Sequence, residues 1–93
     1  MPVRAKFKVD KIERSVGSVP FINAEGRPDW KPGEVRTVIM SPVWGKGDPN
    51  HENTKFWQAT PVGSLQLGCA NLAAVEEFEL GREYYIDFTA AER

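Results

Sequence analysis

The residues able to do chemistry crowd into one stretch, "WGKGDPNHENTKFW", from Trp44 to Trp57. Trp44 and Trp57 offer indole faces there, Lys46 and Lys55 ammonium groups, Asn50 and Asn53 amide edges, and His51 the chain's single imidazole. Together with Arg36 on the preceding apolar segment, this set suits capture of a small anion such as a nucleotide. An indole stacks on a base, the cations meet phosphate and the amides read polar edges. A second reading of the same residues is structural. Trp30, Trp44 and Trp57 could instead close the ends of a core too small to fill itself with aliphatic side chains.

Other chemistry is poorly served. One His and one Cys cannot build a Cys/His zinc site within one chain. "DPNHEN" carries oxygen ligands at the first, third and fifth positions of a calcium loop. It has Asn53 where the glycine belongs and Ala59 where the last carboxylate belongs. "GKGDP" lacks the spacing of a phosphate-binding P-loop. A hydrolase built on His51 needs a nucleophile and an orienting acid on rigid elements, and Ser41, Asp48, Glu52 and Thr60 form no such pattern. Cys69 shares the parity of Leu65 and Leu67 and is expected to be a small buried residue. No catalytic residue, no metal and no cofactor is expected.

These residues must be positioned by a β-rich framework. Val3, Ala5, Phe7 and Val9 alternate with charged residues, which marks a strand with one buried face. The parity then slips to Ile12, so a bulge is expected near Asp10-Lys11. Residues 15–34 are rich in Gly, Pro, Ser and Asn and read as a long loop, with room for a short strand at Val19–Ile22. Residues 35–44 are β-branched and apolar on both parities, as in a central strand. Two further strands are expected over 55–60 and 64–70, around a turn at Pro61 and Gly63. In the first, Phe56 and Trp57 should point to opposite faces. Asn71 as N-cap, Gly81 as the residue past the end, and the Leu72, Val75, Phe78 stripe predict a helix over about 71–80. Tyr84, Ile86 and Phe88 mark the last strand. The order implies a single mainly β domain over residues 1–93, with one short helix and a small OB-like bent sheet or β-barrel.

The 93 residues suffice for one core, and 41% hydrophobic with 27% charged residues is ordinary for a globular protein. No apolar run nears the ~18 residues of a membrane span. Charges interrupt every apolar group before Ser15, unlike a signal peptide. The lone cysteine fits a reducing compartment. Net charge is −1, which argues against a protein that coats nucleic acid. Its distribution is uneven: residues 1–46 hold nine of the 12 Lys+Arg and five of the 13 Asp+Glu, a local net of +4, and the remainder is −5. That dipole, with the aromatic content, leads to an expected homo-oligomer.

"SPVWGKGDPNHENTKFWQATPVGSLQL" followed by "FELGREYYIDFTAAE", with the "RAKFKVDKI" opening, resembles small proteins of unassigned function encoded by tailed bacteriophages. The likeness spans about residues 35–90 and transfers no site residues. It implies a protein of the infected bacterial cytoplasm or of the virion. Three classes compete in that setting. One is a non-catalytic module that captures a small anionic ligand, including nucleotide signals of antiphage defence. Another is a structural or assembly protein acting through a protein interface. The last is a single-stranded nucleic-acid binder on an OB-like face, which the acidic balance disfavours.

Overall fold

The period-two opening folds as expected, and the strand continues far past its predicted end. The computed structural model describes residues 3–92. Strand β1 spans Val3–Ile22 and β2 spans Pro28–Pro42; helix α1 follows at Glu52–Trp57, β3 at Leu65–Cys69, α2 at Leu72–Val75 and β4 at Glu83–Phe88. The strands form one antiparallel sheet in the order β3-β2-β1-β4. The fold is mainly β with short helices, and the sheet is bent and open: β3 and β4 are separate edges, so no barrel closes.

Ala5, Phe7, Val9, Val38, Met40 and Val75 make the buried core. The register shifts between Val9 and Lys11, which leaves Asp10 as the extra residue of a bulge. That bulge restores Ile12 to the face that carries Val9, where it pairs with Val38. Tyr84 and Ile86 of β4 complete the same face opposite Phe7 and Ala5.

Three expected elements are corrected. Residues 15–34 are not a loop but a two-stranded β-arm, paired from Ser15–Val35 out to Ile22–Pro28. The prolines mislead because of where they sit. The Asn23 N–H donates to the Arg27 carbonyl at 2.9 Å, which makes the odd-numbered positions of β1 the hydrogen-bonded ones along the arm. Pro20, Pro28 and Pro32 occupy the alternate positions, whose N–H would point out of the ribbon, so they remove no ladder bond. The tip is a turn in which Gly26 takes φ 76° and the Asn23 side chain accepts from Glu25 and Arg27 N–H.

The strand expected over 55–60 is instead helix α1. His51 caps it, its Nδ1 accepting from the Asn53 N–H at 3.1 Å, and Glu52 lies in the first turn. Gln58 ends it in the left-handed region at φ 57°. Successive helical residues are about 100° apart, so Phe56 and Trp57 do not oppose each other. Their rings meet edge to face at 4.5 Å.

The helix expected over 71–80 begins as predicted, Asn71 accepting from Ala74 N–H, but its α-helical part ends at Val75. Tyr84 explains the early end. Its hydroxyl donates to the Glu77 carbonyl at 2.9 Å and accepts from Glu79 N–H at 2.8 Å, taking backbone groups that further helix would use. Tight turns carry the chain on, with Phe78 against Tyr84 at 5.3 Å. Gly81 takes the expected positive φ, 80°, and its N–H bonds to the Val9 carbonyl.

Candidate functional site

The loop after β2 is held against α1 by a contact only glycine permits. Gly45 is buried, and a Cβ there would lie 2.6 Å from Thr54 Oγ1 and 2.8 Å from His51 Cγ. Lys46 and Gly47 then turn the chain through the left-handed region, at φ 55° and 77°. Trp44 and Lys46 are thereby brought beside Thr54, Gln58 and Thr60, around a shallow cavity of about 360 Å³. An indole face, one ammonium group, two hydroxyls and an amide can hold a small polar or anionic molecule.

The rest of the predicted set does not converge there. Asn53 is fully buried: its Oδ1 accepts from Lys6 N–H at 2.6 Å, and its Nδ2 donates to the carbonyls of Lys6 and Val43 at 2.7 and 2.6 Å. That side chain ties α1 to β1 and has no edge left to read a ligand. His51 is occupied as the cap of α1. Trp57 packs on Phe7 at 6.2 Å and donates its indole N–H to the Val62 carbonyl, so it plugs the core. Asn50 and Lys55 are exposed, the Asn50 N–H bonding Asp48 in the loop. Arg36 belongs to β2 at the base of the arm, opposite Arg14 and Cys69, where Glu34 already neutralises it. Thr54, Gln58 and Thr60 are the lining residues missed in the sequence, because reading 55–60 as a strand gave Gln58 and Thr60 the wrong phase and left Thr54 outside the element.

Beside α1, on the outer face of the sheet, charges neutralise one another. Lys6 Nζ lies 3.5 Å from Glu52 and 3.8 Å from Glu83. Burial works against the Lys6 charge, yet Glu52, followed by Tyr85 and Glu83, outweighs it and its pKa is raised. Glu52 is held below the usual carboxylate range, chiefly by a hydrogen bond from its own backbone N–H and also by Tyr85 and Lys6. Cys69 is half-buried against the core. Among the described residues no group of three His, Cys, Asp or Glu side chains is arranged to hold a metal ion, and no helix is long and apolar enough to cross a membrane.

The arm presents a second, larger feature. Cross-strand partners share a face, so Val16, Pro20 and Ile22 of β1 lie on one side with Pro28, Trp30 and Pro32 of β2. This side continues the inner face of the sheet outward past Arg14, Glu34 and Arg36, and α2 reaches only its base, where Leu72 shares a hollow with Pro20 and Glu34. Val16 is 80% exposed, Ile22 67% and Trp30 65%. The opposite side covers itself. Gly17 and Gly33 face each other there, and Val35 and Val19 lean into the space, within 2.8 and 2.6 Å of where a Cβ would stand. Phe21 lies beneath the Lys31 ammonium at 5.2 Å. A hollow of about 490 Å³ adjoins Arg14, Val16, Pro32 and Glu34 on the arm. The arm also stretches the molecule to 58 Å with a radius of gyration of 17.3 Å, against roughly 12 Å for a compact domain of this length. The sequence signal was present as apolar residues at one parity through 16–32, hidden by the prolines.

Compared with protein-family models, curated proteins and solved structures, the chain matches none.

Proposed function

We propose that the chain is a non-catalytic, phage-encoded interaction protein that works in an assembly by docking its β-arm against another polypeptide. The observation that carries this reading is the apolar patch on the arm, where Val16, Ile22 and Trp30 stand in water on the same side of the sheet as the core, with Arg14, Glu34 and Arg36 between patch and core. A contiguous apolar surface of this kind costs solubility unless a partner covers it. The resemblance to tailed-phage proteins supports an assembly of the infected bacterial cytoplasm or of the virion.

A second reading is capture of a small anion, such as a nucleotide, in the cavity beside Trp44 and Lys46. It ranks lower because the cavity is lined by a single cation while Arg36 is elsewhere and already paired. A photo-reactive residue in place of Trp30, and separately in place of Thr60, tests both in cells producing the protein. Polypeptide adducts at position 30 support the interface. Adducts at neither position, with micromolar binding of a nucleotide that Lys46→Ala abolishes, would overturn it in favour of capture.

A further inference from the structure

The two long edges of the arm differ. On the β2 edge, Pro28 and Pro32 have no N–H, and the outward N–H of Trp30 is taken by its own neighbour, Asp29 Oδ1, at 2.8 Å. That edge is blocked against strand addition, as natural sheets block exposed edges. The β1 edge is not. β4 pairs with β1 only from Val3 to Lys8, after which the Gly81 N–H donates to the Val9 carbonyl and the Val9 N–H donates to the Arg82 carbonyl. Beyond the bulge the even-numbered positions point outward, so the N–H groups of Ile12, Arg14, Val16, Ser18 and Ile22 lie on an edge that no strand of the described residues covers. Pro20 is the one interruption.

We propose that this edge of β1 pairs antiparallel with the same edge of a second copy, about a two-fold axis at Gly17, and joins the two arms into one continuous sheet. The inference rests on the arm being an interface and names its partner. Placing the axis at Gly17 matches Ile12 with the partner's Ile22, Arg14 with the partner's Pro20, and Val16 with the partner's Ser18. Each outward N–H from Ile12 to Ile22 then meets a carbonyl, and only the missing Pro20 N–H leaves a gap. An axis at Val19 would use fewer of them. Side chains agree with the register. Ile12 meets the partner's Ile22 on the apolar side, and Val16 gains the partner's Pro20 and Val16 as diagonal neighbours. No charged residue falls opposite another: Glu13 faces the partner's Phe21 and Lys11 faces the partner's Asn23. The open length ends where β4 begins, which leaves room for the partner's turn and stops the pairing there. Such isologous pairing is closed, so it gives a dimer and not a fibre.

Sedimentation equilibrium with residue-resolved amide exchange on the purified chain decides the matter. The expected result is a dimer at high micromolar concentration in which Val16 and Ser18 N–H exchange slowly although they face away from β2. Ser18→Pro removes one donor per copy at a position equivalent to those Pro20, Pro28 and Pro32 already occupy, so the arm tolerates it. It should weaken the dimer at least about tenfold, while Ser18→Ala leaves it intact. A monomer at that concentration would overturn the proposal, and so would a dimer whose Val16 and Ser18 amides exchange freely. If polypeptide adducts at position 30 carry only a different protein, the interface reading stands and self-pairing falls.

Discussion

Replacing Asn53 tests how the 44–58 region is attached to the sheet. Its amide makes a hydrogen bond with each of three backbone groups, Lys6 N–H, Lys6 carbonyl and Val43 carbonyl, and it is completely shielded from water. Asn53→Ala removes all three. The Lys6 carbonyl keeps its bond from Val43 N–H at 3.0 Å, so the groups left without a partner are one donor and one acceptor. Each costs about 1–3 kcal/mol when stranded in the interior, and water entering the vacated space offsets part of that. The expected loss is about 2–4 kcal/mol, a large share of the ~5–15 kcal/mol available to a small domain. Asn53→Asp should be worse at neutral pH, because a carboxylate would face the two carbonyl oxygens and repel them. Protonation restores one donor, so the deficit of Asn53→Asp relative to Asn53→Ala should shrink as pH falls toward 4. Urea unfolding followed by tryptophan fluorescence at pH 7 and pH 4 reads both effects. A cost below about 0.5 kcal/mol for Asn53→Ala would show that the amide does not tie α1 to β1.

Gly45→Ala should cost about 1–3 kcal/mol, since the new methyl meets Thr54 and His51; thermal melting gives the size, and an unchanged Tm would contradict the contact. Tyr84→Phe removes the hydroxyl that bonds Glu77 and Glu79, with an expected loss of about 1–2 kcal/mol and, if that hydroxyl truncates the helix, a gain in helical signal on moderate trifluoroethanol addition. Three carboxyls are held below their ordinary values: Glu52 chiefly by its own backbone N–H, Glu34 by Arg36 and Asp87 by Arg4. A depressed pKa stabilises the fold above the unfolded value and loses that stabilisation as pH falls through the folded one. Urea midpoints should therefore be level from pH 7 to the ordinary Glu value of 4.5 and decline below it; Asp87→Asn should flatten part of the decline. Lys6, raised above its ordinary 10.5, adds the opposite limb, a loss of stability as pH climbs past that value.

Much of the framework was legible because alternation along a half-buried strand is a strong signal. The Val3–Val9 pattern, the slip at Asp10, the Leu65–Cys69 strand and the Tyr84–Phe88 strand each follow from parity alone. What failed had a physical reason. Proline and glycine read as loop formers in the sequence, yet in the arm every proline sits where the ladder needs no N–H, and the paired glycines make room for Val19 and Val35. Helix α1 has six residues, too few to show a 3.6-residue period; only the caps betray it, with His51 before Glu52 and Pro61 shortly after the end. For the same reason the candidate site dissolved in part. Asn53, His51 and Trp57 have the polar and aromatic character of ligand contacts, but once the segment coils into a helix they face the core or cap the backbone. Trp44 and Lys46 stay together because they precede the helix and line its outside.

The energetics of the arm link its shape to the docking proposed for it. Fixing a residue's backbone costs about 1–2 kcal/mol, more for glycine, and a net hydrogen bond returns about 0.5–1.5 kcal/mol. Ladder bonds alone therefore cannot hold the ribbon, and an isolated hairpin is marginal in water. Burial normally supplies the difference, at about 25 cal/mol per Å² of apolar surface. On the self-covered side Val19 and Val35 provide some of it, whereas Val16, Ile22 and Trp30 remain mostly exposed. The stabilisation missing from the monomer is the part that a neighbour would contribute. A partner that pairs with the β1 edge adds hydrogen bonds where none exist and shields Val16 and Ile22 at the same time. Ordering of the arm and recognition by the arm are then one equilibrium, which makes the ribbon the element whose stability responds most to protein concentration.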